Sequence, residues 1–156
     1  MVQDKKPWLN EPDYKRWRDG KTQLQCLILR AGSTGALCGY VRLPRSLAKV
    51  MGTAGRRSEP DEFGCRYPAY GAPVFRDISV HGGLTYSGAI RTKKRGAERG
   101  IWVGFDCAHW GDLTPALDEY LPFRGQVTRE VHTYRDINYV TEQVRYLAQQ
   151  IKELAK

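Results

Sequence analysis

Four stretches of apolar residues read as strands, and one reads as a long helix. Leu24 to Leu29 is a short apolar run between Gly20 and Gly32-Ser33-Thr34-Gly35, the pattern of a buried strand entering a turn. Ala36 to Leu43 follows, with Leu37, Gly39, Val41 and Leu43 on one face and Cys38, Tyr40 and Arg42 on the other, until Pro44 ends it. Between Val74 and Tyr86, the positions Ile78, Val80, Gly82, Leu84 and Tyr86 alternate with Ser79, His81, Gly83 and Thr85, which predicts a third strand. Ile101 to Cys107 predicts a fourth, with Val103 and Phe105 facing one way and Trp102, Gly104 and Asp106 the other. At the C-terminus, Ile137, Val140, Val144, Leu147, Ile151 and Leu154 recur in steps of three and four, predicting an amphipathic helix over 136–155 capped by Asp136. Its apolar stripe suits packing across a sheet; a coiled coil, and with it a homo-oligomer, is the alternative use of that stripe.

The remaining stretches are less regular. Residues 1–22 read as an extended lead-in with one short helical turn near Glu11 to Trp17, whose aromatics Trp8, Tyr14 and Trp17 pack onto the domain. Residues 45–73 read as an irregular loop region, with a short helix at Arg45 to Met51 and a Gly- and Pro-rich part after it, long enough to act as a lid. Thr114-Pro115 is a helix start, with Thr114 as cap and Pro115 in the first turn. The expected fold is one α+β domain over 1–156: a mostly antiparallel sheet of about four strands, covered by the long C-terminal helix and short helices.

Composition narrows the function classes. No apolar run reaches the length of a membrane span, and no apolar stretch follows the basic residues near Met1, so the expected location is the cytoplasm. Cys26, Cys38, Cys65 and Cys107 lack CxxC spacing and read as reduced core thiols. A net charge of +8 raises affinity for anions. Much of the excess falls on Arg91, Lys93, Lys94, Arg95 and Arg99, in the expected connection between the third and fourth strands. Aromatics do not interleave with these charges and no DNA-reading motif appears, so a small phosphorylated or nucleotide ligand fits better than nucleic acid.

Candidate chemistry gathers in two places. His81 lies on the third predicted strand; Asp106, His109 and Asp112 follow one another at three-residue spacing where the fourth strand exits. If the two strands are neighbours, His81 and Asp106 share a face, and a turn brings His109 and Asp112 to them. Such a cluster can hold a divalent metal that activates water. It can act as a metal-free general base through His81 or His109. Or it can bind a nucleotide, with Arg91 and Lys93 on the phosphates, Tyr40 on the base, and Thr85, Gly83 and Gly104 lining the approach. The purely structural alternative has Asp106 and Asp112 capping turns, with His109 hydrogen-bonded to one of them. His132 has no motif around it.

Several blocks carry a family likeness. These are Cys38-Gly39-Tyr40-Val41, Val80-His81-Gly82-Gly83-Leu84-Thr85-Tyr86, and Gly104-Phe105-Asp106-Cys107-Ala108-His109 with Gly111-Asp112-Leu113. Tyr134-Arg135-Asp136, Tyr139-Val140, Glu142 and Leu147-Ala148 with Gln150-Ile151 complete the set. Over roughly residues 7–152 the chain resembles a family of small, uncharacterised bacteriophage and prophage proteins. The resemblance implies a phage-type accessory protein. Its expected role is to bind a small nucleotide-derived ligand in a basic pocket, with sequestration of a bacterial immune signal as the use. Two alternatives stand beside it: a small phosphodiesterase-like hydrolase using His81, Asp106, His109 and Asp112, and a protein-binding inhibitor of a host enzyme.

Overall fold

The computed structural model describes residues 6–49, 69–120 and 131–156. Its centre is an antiparallel sheet of five strands: β1 (Tyr14–Arg18), β2 (Gln25–Arg30), β3 (Leu37–Arg42), β4 (Tyr86–Thr92) and β5 (Gly96–Asp106), in the order β1-β2-β3-β5-β4. The short helix α1 (Arg45–Ala48) follows β3, and α2 (Pro115–Tyr120) follows the two-residue strand β6 (Asp112–Leu113). β6 pairs in parallel with β7 (Thr133–Tyr134), and α3 (Ile137–Leu154) closes the chain. The α+β class is as the sequence predicts. Expectations for 50–68, including most of the lid, lie outside the described residues, as does the stretch after α2.

Helix α3 covers one face of the sheet. Asp136 caps it through a bond from the Tyr139 N–H, and Val140, Val144, Leu147, Ala148 and Ile151 are buried. They meet Ile28, Leu37, Val41, Val103 and Phe105 from the strands. Gly39 makes this close: a Cβ there would sit 2.5 Å from Val144 Cγ2 and 2.7 Å from the Phe105 ring. The stripe that a coiled coil needs is thus occupied by the sheet, leaving Tyr146 and Leu154 exposed.

Three strand expectations need correction. First, Tyr14 to Trp17 is not helical. It is edge strand β1, held by pairing with β2, and alternation puts Trp17 against the main core while Tyr14 packs on the opposite face. There the Tyr14 hydroxyl and Arg16 both donate to the buried Glu98 carboxylate, at 2.7 and 2.6 Å. The sheet therefore has five strands where four were expected.

Second, 74–85 is not a strand. A 3-10 turn at Pro73–Phe75 leads into a loop, which turns at 80–83 through a bond from the Gly83 N–H to the Val80 carbonyl. Gly82 and Gly83 are both left-handed, with φ of 65° and 78°, which breaks an extended run. The alternating Ile78, Val80 and Leu84 still pack against the core, so burial follows the pattern although the backbone does not.

Third, the basic stretch is mostly strand. β4 runs through Arg91 to Thr92 and β5 begins at Gly96, so the connection shrinks to 93–95.

Candidate functional site

The site forms where three elements converge: the 78–84 loop, the exit of β5, and the N-terminal half of α3. The loop is pinned to α3. The Gln143 side chain accepts from the His81 N–H at 2.9 Å, and Gln150 both accepts from and donates to the Ser79 backbone at 2.8 Å. Those bonds, with the 80–83 turn, present the His81 ring to the β5 exit.

His81 is satisfied on both ring nitrogens. Nδ1 lies 2.8 Å from the Tyr139 hydroxyl and Nε2 lies 2.8 Å from Asp112 Oδ2. Asp112 is the hub, with its side chain 1 % exposed. Besides His81 it accepts from the His109 N–H at 3.0 Å and from Arg135 Nε at 3.0 Å. Burial alone would raise its carboxyl, but the bonds from His81, Arg135 and the His109 backbone outweigh burial and hold it below the ordinary carboxylate value.

His109 is the less satisfied member. Its Nδ1 is buried and makes no hydrogen bond. It stands 3.6 Å from Asp112 Oδ2 and 3.7 Å from Asp106 Oδ1, too far for a hydrogen bond to either. The side chain is 31 % exposed, and its ring lies 5.5 Å from that of His81, edge to face. The ring rests on Gly82: a Cβ there would come within 2.2 Å of His109 Cε1 and 2.5 Å of Nδ1. Next to it, Trp110 is 98 % exposed.

The predicted site is therefore partly assembled. His81, His109 and Asp112 come together, with one ligand atom from each lying within 4.8 Å of the others. Asp106 reaches them only through His109. It ends β5 opposite Cys38, accepts from Thr85 Oγ1 at 2.9 Å and from the Ala108 N–H at 3.0 Å, and does not share a sheet face with His81, which lies in a turn. Gly83 borders the cluster with open space above its Cα.

The other candidates are elsewhere or differently used. Gly104 leaves room for Tyr40 rather than for a ligand: a Cβ there would sit 2.3 Å from the Tyr40 ring. Tyr40 packs edge-on against Tyr86, on the sheet face away from α3. Arg91 and Lys93 are at the far end of the hairpin; from Thr85 to Arg91 an extended chain advances roughly 20 Å. Cys107 is buried, and burial pushes its thiol up, so it adds no thiolate to the cluster.

Sequence reasoning missed Gly82, Arg135, Tyr139 and Gln143. A signal existed for part of this set. Tyr139, Gln143 and Gln150 fall on one helical stripe beside the apolar one, and a polar stripe adjoining a core stripe marks where a loop docks.

Among the described residues, no helix is long and apolar enough to cross a membrane. A comparison with known protein families, curated proteins and solved structures finds no match to this chain.

Proposed function

We propose that the His109 centre activates water, and that the chain is a small phosphodiesterase-like hydrolase acting on a phosphate-containing ligand. One observation carries this reading: a partly exposed imidazole whose buried nitrogen faces two carboxylates at 3.6 and 3.7 Å. A histidine backed by a carboxylate is the usual general base, and its bonds often tighten only when substrate binds. The base takes a proton from water as the water oxygen attacks phosphorus. The phosphorus–oxygen bond to the leaving group then breaks, and the proton is returned to that oxygen. Arg135, its side chain 28 % exposed at the edge of the cluster, supplies positive charge for a phosphate. Trp110 offers an exposed ring to a base or sugar.

A second reading is sequestration of a nucleotide-derived signal by a phage-type accessory protein. The saturated bonding of His81 and Asp112 supports it, because a rigid frame suits holding a ligand without turnover.

One experiment separates the two. The protein is incubated with cyclic and linear nucleotides, heat-denatured, and the released small molecules are analysed. Altered nucleotide supports hydrolysis, and intact retained nucleotide supports sequestration. Failure to retain or alter any of them refutes both readings.

A further inference from the structure

We infer that His81 Nε2, His109 Nδ1 and Asp112 Oδ2 form a binding site for one divalent d-block cation, with Asp106 beside its open position. His109 Nδ1 is buried and unsatisfied. If Nδ1 carries a proton, the proton has no acceptor within hydrogen-bond reach. If it does not, a buried lone pair faces two carboxylate oxygens with nothing between them. Either state leaves a buried polar group unsatisfied, which is unfavourable. A cation among these atoms removes the conflict, because all of them become donors to one centre.

The spacing agrees. Zinc–nitrogen and zinc–oxygen bonds of about 2.0–2.2 Å in a tetrahedron place neighbouring ligand atoms about 3.4 Å apart. Two edges of the ligand triangle are 2.8 Å for His81 Nε2 to Asp112 Oδ2 and 3.6 Å for His109 Nδ1 to Asp112 Oδ2; the third, between the imidazoles, closes within 4.8 Å, and Asp106 Oδ1 stands 3.7 Å from His109 Nδ1. The donor set of two imidazoles and a carboxylate suits zinc, manganese, iron or cobalt, and is too nitrogen-rich for magnesium or calcium. Three protein ligands leave a fourth position for water, the arrangement of a catalytic rather than a structural site.

The surroundings orient each ligand. The Tyr139 hydroxyl meets His81 Nδ1, and Arg135 takes Asp112 Oδ1, leaving Oδ2 toward the imidazoles. Gly82 sets the plane of the His109 ring. A cation on His81 Nε2 would require the ring proton on Nδ1, where the Tyr139 hydroxyl would accept it. Such outer contacts fix ligand tautomers, and their loss typically weakens a metal 10–100-fold.

This inference deepens the hydrolase reading, since a bound cation would supply the activated water. Its test does not depend on that reading. The full chain, stripped with chelator, is titrated with Zn2+ by calorimetry, and Co2+ is added in parallel to read the visible spectrum of a four-coordinate site. The expected result is one equivalent of Zn2+ per chain. His109→Ala should abolish it with the far-UV spectrum unchanged. Tyr139→Phe should keep the stoichiometry and weaken affinity 10–100-fold, and His132→Ala should change nothing. Absence of saturable Zn2+ binding, or one equivalent that survives both His109→Ala and Asp112→Asn, overturns the site. Zn2+ binding without hydrolysis upholds the site and removes the enzyme reading. Hydrolysis that persists in chelator upholds the enzyme reading and assigns water activation to the histidine base alone, overturning a catalytic role for the cation.

Discussion

Gly82→Ala, compared with Gly83→Ala, isolates the placement of His109. Both glycines are left-handed, so alanine at either position carries a similar backbone cost of about 1–2 kcal/mol. They differ in what a methyl group would meet. At Gly83 nothing lies within 4 Å. At Gly82 the methyl carbon would fall 2.2 Å from His109 Cε1 and 2.4 Å from Nε2, so the ring must retreat by about 1.2 Å to reach ordinary contact at 3.4 Å. A displacement of about 1 Å at a reacting group can cost 10²-fold in rate. Both variants should therefore lose similar stability in urea melts. Only Gly82→Ala should lose Zn2+ affinity and, if the centre hydrolyses nucleotides, about 10²-fold in turnover. The assays are calorimetric titration and recovery of product nucleotide. If the two variants lose Zn2+ affinity equally, the placement of His109 does not depend on Gly82 and the cation site is refuted.

Two further substitutions test the frame around the site. Asp112→Asn removes the buried anion that accepts from His81, His109 and Arg135, and should cost roughly 2–3 kcal/mol in denaturant unfolding. Because the fold holds this carboxyl low, the unfolded chain takes up its proton more readily. Its contribution is therefore complete at neutral pH and is lost as pH falls below about 4. The variant should show a flatter acid limb, and an unchanged limb would argue against that role. Gly39→Ala forces a methyl group against Val144 and Phe105 and should cost about 1–3 kcal/mol by overpacking. A thermal melt as stable as the parent would show that α3 does not seat on β3 as described.

The parts of this fold legible in the sequence are those governed by local periodicity. The α3 stripe, its Asp136 cap, the β3 and β5 faces and the Thr114-Pro115 helix start each follow from residues within a few positions of one another. The three-residue spacing of Asp106, His109 and Asp112 likewise placed them in one turn, because the bond from the Asp112 N–H to the His109 carbonyl is local. Alternation failed where glycine intervened. Ile78, Val80 and Leu84 pack on the core as alternation predicts, yet Gly82 and Gly83 allow a left-handed turn that a period of two cannot reveal. The reverse failure occurred at β1, where Tyr14 to Trp17 is too short to show its period and takes its form from pairing with β2.

What the chain by itself determined was helix α3, strands β2 and β3, the second half of β5, and the chemistry near the end of β5. Which partners meet there was decided by tertiary structure. His81 faces Asp112 rather than Asp106 because Gln143 and Gln150, far along the chain on α3, hold its loop. Sheet geometry puts Tyr40 on the face away from α3, which Asp106 shares, and puts the basic hairpin at the far end of the strands. Sequence spacing governs contacts along one element, but contacts between elements depend on how their buried faces and polar stripes dock, and that is settled only when the core closes.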